Sequence, residues 1–201
     1  MKKILILGPL WRNKGIIKNL KKEYNVYITN KKIYKNYIKQ KKIDFLITSG
    51  YPFLVKENVL KIVKKKINLH ISYLPFGRGI MPNLWCFYEG YPPGITIHAL
   101  NKNFDAGKII IQKKVSFKNL KKETLKSTHD YLLGQLENFF LSHYKKIFDN
   151  KIKGYRQDKF IKVNRYHSRK ESEKLISKFK KKWNTKIKDV IKYGKKTTLP
   201  K

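Results

Sequence analysis

ILILGPLWRNKGIIKNLKKEYNVYITNKKIYKNYIKQKKIDFLITSG, residues 4–50, decides the fold class. Ile4 to Gly8 is an apolar run closed by Gly-Pro, the pattern of a buried strand followed by a loop. Gly15 to Lys22 reads as a short helix, Asn25 to Thr29 as a second strand, Lys32 to Lys41 as a second helix with its lysines outside, and Asp44 to Gly50 as a third strand ending in a glycine turn. Strands alternating with helices at this spacing predict a parallel sheet with helices packed on it. The expected class is therefore α/β, with a Rossmann-like, mostly parallel sheet, flanking helices and a small C-terminal appendage. Gly8 is followed at once by Pro9 and lacks the three spaced glycines of a dinucleotide-binding fingerprint, so it is read as a turn at the edge of a cleft.

Beyond residue 50 the pattern predicts a helix from Glu57 to Lys66 and a fourth strand from Ile67 to Ile71, which carries Asn68 and His70. Side chains two apart project from one face of a strand, so Asn68 and His70 can act on the same substrate atom. A Pro- and Gly-rich loop from Tyr73 to Gly79 leads to a helix over Pro82 to Gly90. Two more strands, Gly94 to Leu100 and Lys108 to Val115, are joined by a turn that holds Asp105 and Gly107. Leu125, Leu132, Leu133, Leu136, Phe139, Phe140 and Ile147 recur at helical spacing, predicting one long amphipathic helix from Lys121 to about Asp149. His129 and His143 on that helix are read as solvated or capping groups. From Lys151 the chain offers a strand-like segment, Asp158 to Val163, then Tyr166-His167 and a lysine-rich helix from Lys170 to Lys182. The division expected is a catalytic domain over 1–150 and an appendage without a core of its own over 151–201.

The chain has 201 residues, 48 basic against 13 acidic, for a formal net charge of +35. That excess would point first to a polyanion. Only five of the basic residues are arginine, the lysines are spread in short runs, and Asn and Ile are abundant with them. Compositional drift explains this better than a nucleic-acid surface does, although the field would attract an anionic small molecule. The single cysteine, Cys86, excludes an internal disulfide and lies in an apolar run as a structural thiol. No stretch approaches the ~18 apolar residues of a spanning helix. A cytoplasmic protein that does not bind a membrane, with no metal requirement and with a homodimer left open, is the expectation.

Residues 68–105 hold Asn68, His70, Ser72, Leu74 and Pro75, then Arg78-Gly79, then Gly94, Thr96 and His98, then Asp105 and Gly107. In this order they resemble the formyltransferase family, whose pattern runs Asn-x-His-x-Ser-x-Leu-Pro, Arg-Gly, Gly-x-Thr-x-His and Asp-x-Gly. Within the family the wording LHISYLPFGRG followed by PNLWCF is most similar to the sugar N-formyltransferases, and Tyr166-His167 and Trp183-Asn184-Thr185 resemble elements that close those proteins. The resemblance implies N10-formyltetrahydrofolate as donor and a nucleotide-linked amino sugar as acceptor. It also implies that the turn Gly50-Tyr51-Pro52-Phe53 meets the folate ring.

The residues suit that chemistry. Acyl transfer to an amine needs a donor for the developing oxyanion and a base for the ammonium proton. The Asn68 amide can hold the carbonyl oxygen, His70 titrates near neutral pH, and Asp105 can orient and charge-stabilise His70. No Ser or Cys nucleophile is required if the amine attacks directly. His98, in a strand among apolar neighbours, is read as a structural hydrogen-bonder. Tyr73, Arg78 and Tyr166 are the candidate contacts to the nucleotide sugar, while Trp85 in an apolar helix reads as packing. Pro52 supplies no N–H, so acetyl-CoA on the same site stays open as an alternative donor, with a tRNA-directed formyltransferase or a nucleic-acid-binding protein as further alternatives.

Overall fold

Ile4, Leu5, Ile6 and Leu7 are all 0% exposed, the signature of a central parallel strand covered on both faces. They form β1 (Lys3–Leu7), which pairs in parallel with β2 (Asn25–Thr29) on one side and β3 (Phe45–Thr48) on the other. The computed structural model describes residues 1–157 and 166–198. Helices α1 (Leu10–Leu20) and α2 (Lys35–Lys41) are the crossovers, and a single turn α3 (Glu57–Leu60) leads to β4 (Lys65–His70), parallel to β3. The sheet continues through β6 (Gly94–Ala99) and β7 (Ile109–Lys114), in the order β2-β1-β3-β4-β6-β7. The Leu100 amide donates to the Lys66 carbonyl (3.1 Å) and the Ala99 amide to the Lys108 carbonyl (2.9 Å), so β6 runs against both neighbours and the sheet is mixed but mostly parallel.

Two compact units make up the chain. One comprises Met1–His70, Ile97–Ile111 and Leu136–Arg156; the other comprises Ile71–Thr96, Gln112–Gln135 and Gln157–Lys201. In the first, Leu5, Leu7, Ile38, Leu46, Val59 and Val63 form one apolar cluster. Elsewhere in this unit Phe45 stacks on Phe148 at 4.2 Å, with Tyr24 edge-on to both, so the end of α5 (Leu125–Phe148) is fixed by aromatic contact.

In the second unit β5 (Arg78–Gly79) pairs in parallel with β8 (Tyr166–His167). Its core gathers Leu84 to Phe87 of α4 (Pro82–Glu89), Leu125, Leu175 and Ile176 of α6 (Arg169–Ser177), Phe179, and Ile187 and Val190 of α7 (Ile187–Thr198). The C-terminal helical part buries its apolar stripe against α4. The Cβ of any other residue at Gly194 would lie 1.9 Å from the Tyr88 carbonyl oxygen, so α7 needs glycine there to approach α4.

Three boundaries differ from the sequence reading for identifiable reasons. Lys65 and Lys66 open β4 rather than close a helix, because Ile67 and Leu69 alternate into the core. Helix α6 begins at Arg169, set by a capping box in which Ser168 and Glu171 satisfy each other's backbone N–H groups. Helix α7 was missed, although Ile187, Val190 and Ile191 carry helical spacing amid the lysines. The strand-like segment Asp158–Val163 lies outside the described residues.

Cys86 donates its thiol to the Tyr91 carbonyl at 3.0 Å, and burial pushes its pKa up to about 12. Native protein at pH 8 should therefore react with iodoacetamide far more slowly than protein in denaturant, since roughly one thiol in 10⁴ would be ionised. Because the folded value lies above the unfolded ~8.5, this thiol's favourable contribution is complete below pH ~8.5 and declines as pH rises toward 12. Equal alkylation rates in the native and unfolded states would contradict the burial.

Candidate active site

The parallel register of β3 and β4 sets Thr48 beside Asn68. The Thr48 hydroxyl donates to Asn68 Oδ1 at 2.6 Å, which turns the amide nitrogen the other way. That nitrogen lies 3.0 Å from Asp105 Oδ1 and 3.0 Å from His98 Nε2. Because a carboxylate only accepts, the amide orientation is fixed from both ends.

His98 is 1% exposed, and its Nδ1 lies 2.8 Å from the Ala99 carbonyl oxygen. A carbonyl accepts, so Nδ1 carries the hydrogen and Nε2 presents a lone pair to the Asn68 N–H. His98 therefore holds Asn68, as its strand position suggested. Asp105 Oδ1 lies 3.5 Å from the same Nε2, and the two are joined through the amide rather than directly.

His70, 7% exposed, projects from β4 two residues past Asn68. Its Nδ1 stands 3.7 Å from Asp105 Oδ1, too long for a hydrogen bond but close enough to pair as ions once the imidazole is protonated. Asp105 adopts φ 49°, a left-handed conformation that Asp tolerates. Two residues on, a Cβ at Gly107 would sit 1.7 Å from the Ala99 carbonyl oxygen. The Asp-x-Gly sequence thus lays the loop onto the end of β6 and aims the carboxylate between two imidazoles.

The expected donor contacts, Gly50, Tyr51, Pro52 and Phe53, leave β3 directly after Thr48-Ser49. Tyr51 and Phe53 are half-buried, edge-to-face at 5.4 Å, and the Tyr51 hydroxyl donates to the Lys31 carbonyl at 3.1 Å. With Leu54 45% exposed beside them, the segment offers an apolar, aromatic surface that fits a flat heterocycle even though Pro52 contributes no N–H.

In the second unit Arg78 and Tyr166 are register partners across β5 and β8, so the structure pairs these two predicted substrate contacts. Tyr73 packs against Gly94, where a Cβ would lie 2.7 Å from the Tyr73 Cβ, and carries Lys114 Nζ 5.4 Å from its ring centre. Trp85 is a packing residue: its indole stacks on His167 at 3.7 Å and its N–H donates to Ser172 Oγ at 2.9 Å.

Two residues near the Asn68 cluster were not singled out from the sequence. Thr48 was hidden because a threonine ending a strand is ordinary; only the register reveals it. Arg12, in α1, donates from Nε to Ser49 Oγ at 3.2 Å, and burial pulls its pKa down to about 10, leaving it a cation at neutral pH. Among the described residues no group of three or more His, Cys, Asp or Glu could hold a metal ion, and no helix is long and apolar enough to cross a membrane.

The Formyl transferase family matches residues 14–140, more than half of the chain. This chain belongs to the formyltransferase family. Asn68, His70 and Asp105 lie inside the matched span. The chain is 36% identical over 75 residues to the GDP-perosamine N-formyltransferase of Brucella melitensis, covering 36% of this chain and 29% of that one. It is 35% identical over 99 residues to the bifunctional polymyxin resistance protein ArnA of Wigglesworthia glossinidia brevipalpis, covering 48% of this chain and 15% of that one. These alignments span less than a third of either relative. The formyltransferase PseJ from Anoxybacillus kamchatkensis, solved in complex with UDP-4,6-dideoxy-4-formamido-L-AltNAc and tetrahydrofolate, superposes with a TM-score of 0.83 at 33% identity, covering 96% of this chain and 99% of that one.

Thr48→Val should leave the fold intact and lower kcat by about tenfold, the worth of one hydrogen bond that orients Asn68. Gly107→Ala should cost about a hundredfold in rate by displacing Asp105. A melting temperature and activity both equal to wild type in Gly107→Ala would refute the account of the loop.

Proposed function

We propose that this chain is a sugar N-formyltransferase, which moves the formyl group of N10-formyltetrahydrofolate to the amine of a nucleotide-linked amino sugar. The observation that carries the reading is the end-to-end match to PseJ, in complex with a formamido sugar nucleotide and tetrahydrofolate, taken with the Asn68, His70 and Asp105 cluster of this chain. The folate supplies an activated formyl group. An Asn68 N–H stabilises the oxygen that becomes negative as the acceptor amine adds, and His70 takes the proton from that amine. As His70 becomes a cation, Asp105 pairs with its Nδ1, which frees the Asn68 N–H it had accepted from. Thr48 and His98 hold the amide during this exchange.

The alternative donor, acetyl-CoA, draws no support: the related complex holds tetrahydrofolate. Arg78 and Tyr166, paired across β5 and β8, with Tyr73, remain the proposed contacts to the sugar nucleotide.

Incubated with formyl-folate, a UDP-linked amino sugar should gain the mass of one CO, and acetyl-CoA should give no product. His70→Ala and Asp105→Ala should each fold normally and lose about 10²–10⁴-fold in kcat. Tetrahydrofolate, and not coenzyme A, should raise the melting temperature of the protein. Wild-type rates in both variants would remove the assigned roles; acetyl transfer without formyl transfer would reverse the donor.

A further inference from the structure

Arg12 is built into the first unit in a way that packing alone does not account for. Its side chain lies across the turn after β3, where a Cβ on Gly50 would come within 2.8 Å of Arg12 Cδ, and Gly50 itself has φ 68°. Gly8, at the other side of the same turn, is held as close: its Cβ would lie 2.0 Å from the Ser49 carbonyl oxygen. Buried Asn13 adds bonds from Nδ2 to the Pro9 and Ser49 carbonyls at 2.9 and 3.4 Å, while its Oδ1 has no partner. Both glycines and Asn13 thus bring the start of α1 against Ser49.

The guanidinium held there uses one N–H, toward Ser49 Oγ. No carboxylate among the described residues pairs with it, and burial lowers its pKa to about 10. A guanidinium half-withdrawn from water with donors to spare gains most once an acceptor, best an anion, arrives. Lysine, the cation this chain uses almost everywhere else, would lose its charge more readily in such a place and lacks the planar fork. Ser49 follows Thr48, the residue that orients the Asn68 amide, so the anion would lie close to the reacting groups. Next to Arg12 in the chain, Trp11 is 63% exposed and Leu10 54%, uncovered apolar side chains beside a half-buried cation. An exposed indole one residue from a guanidinium with spare donors suits a base joined to phosphates.

We propose that Arg12 and Trp11 form a nucleoside diphosphate subsite for the acceptor, Arg12 holding phosphate oxygens and Trp11 offering its face to the base. The subsite rests on the sugar N-formyltransferase reading for its ligand and adds to it two residues at the β1–α1 turn. It also gives Gly50 a second duty: the residue expected at the donor turn is the platform that carries Arg12.

Binding of UDP, uridine and inorganic pyrophosphate, measured by calorimetry at fixed ionic strength on the full chain, tests it. Arg12→Gln should weaken UDP and pyrophosphate by roughly ten- to a hundredfold and uridine little. Trp11→Ala should weaken UDP and uridine by roughly five- to a hundredfold and pyrophosphate little. Arg12→Lys should recover only part of the loss, and circular dichroism and melting should match wild type in each. UDP affinities within twofold of wild type in both Arg12→Gln and Trp11→Ala would overturn the subsite, as would lost tetrahydrofolate binding with UDP binding intact, which would give Arg12 to the donor. The two readings fail separately. UDP bound through Arg12 without any formamide product removes the transfer reading and leaves the subsite, whereas formylation with an unchanged KM for the nucleotide sugar in Arg12→Gln removes the subsite and leaves transfer.

Discussion

The side-chain amide of Asn68 is the point at which four segments of the first unit are tied together. Its oxygen is taken by Thr48 at the end of β3, and its nitrogen by His98 on β6 and Asp105 on the loop to β7. Each partner has one acceptable role: the hydroxyl donates, the carboxylate accepts, and His98 accepts because its other nitrogen is committed to the Ala99 carbonyl. A buried network satisfied at every member specifies a single geometry. The same bonds that order the end of the sheet therefore point a hydrogen-bond donor and hold a carboxylate against His70.

The division of labour among the histidines follows from burial and partners. His98 has both nitrogens engaged, Nδ1 by the Ala99 carbonyl and Nε2 by the Asn68 N–H. His70 has its Nδ1 at ion-pair distance from Asp105, and protonation there improves the contact instead of spoiling it. Two imidazoles that look equivalent in composition thus differ in their partners: one braces Asn68, the other faces the Asp105 carboxylate. The glycines make this possible by absence of side chain: Gly107 against Ala99, and Gly8 and Gly50 against Ser49 and Arg12.

The high positive charge plays a lesser part in the architecture than its size suggests. Most of the lysines are exposed, while the second unit is organised by apolar and aromatic contact: Leu84 to Phe87 against Leu175, Ile176, Phe179, Ile187 and Val190. A cation with structural consequence is Arg12, whose stem is accommodated by Gly50 and whose head is half-withdrawn from water.

The α/β class, the order of the first strands, and the residues Asn68, His70 and Asp105 were all legible in the sequence. Apolar runs alternating with amphipathic ones state the local structure, and a side-chain period of two places Asn68 and His70 on one face. The helix α7 was legible too, through Ile187, Val190 and Ile191, but its stripe was masked by lysines. The sequence alone did not determine which residues brace the site. Thr48 and Asn68 are 20 positions apart, and Arg12 and Ser49 are 37 apart; no local pattern encodes such pairings. They arise from strand register and from close backbone approach at Gly8 and Gly50, which exist only once the sheet is assembled. The sequence by itself determined the fold class and named the candidate reacting groups; tertiary structure decided the tautomer of His98, the direction of the Asn68 amide and the partial desolvation of Arg12, because each depends on atoms brought together from distant parts of the chain.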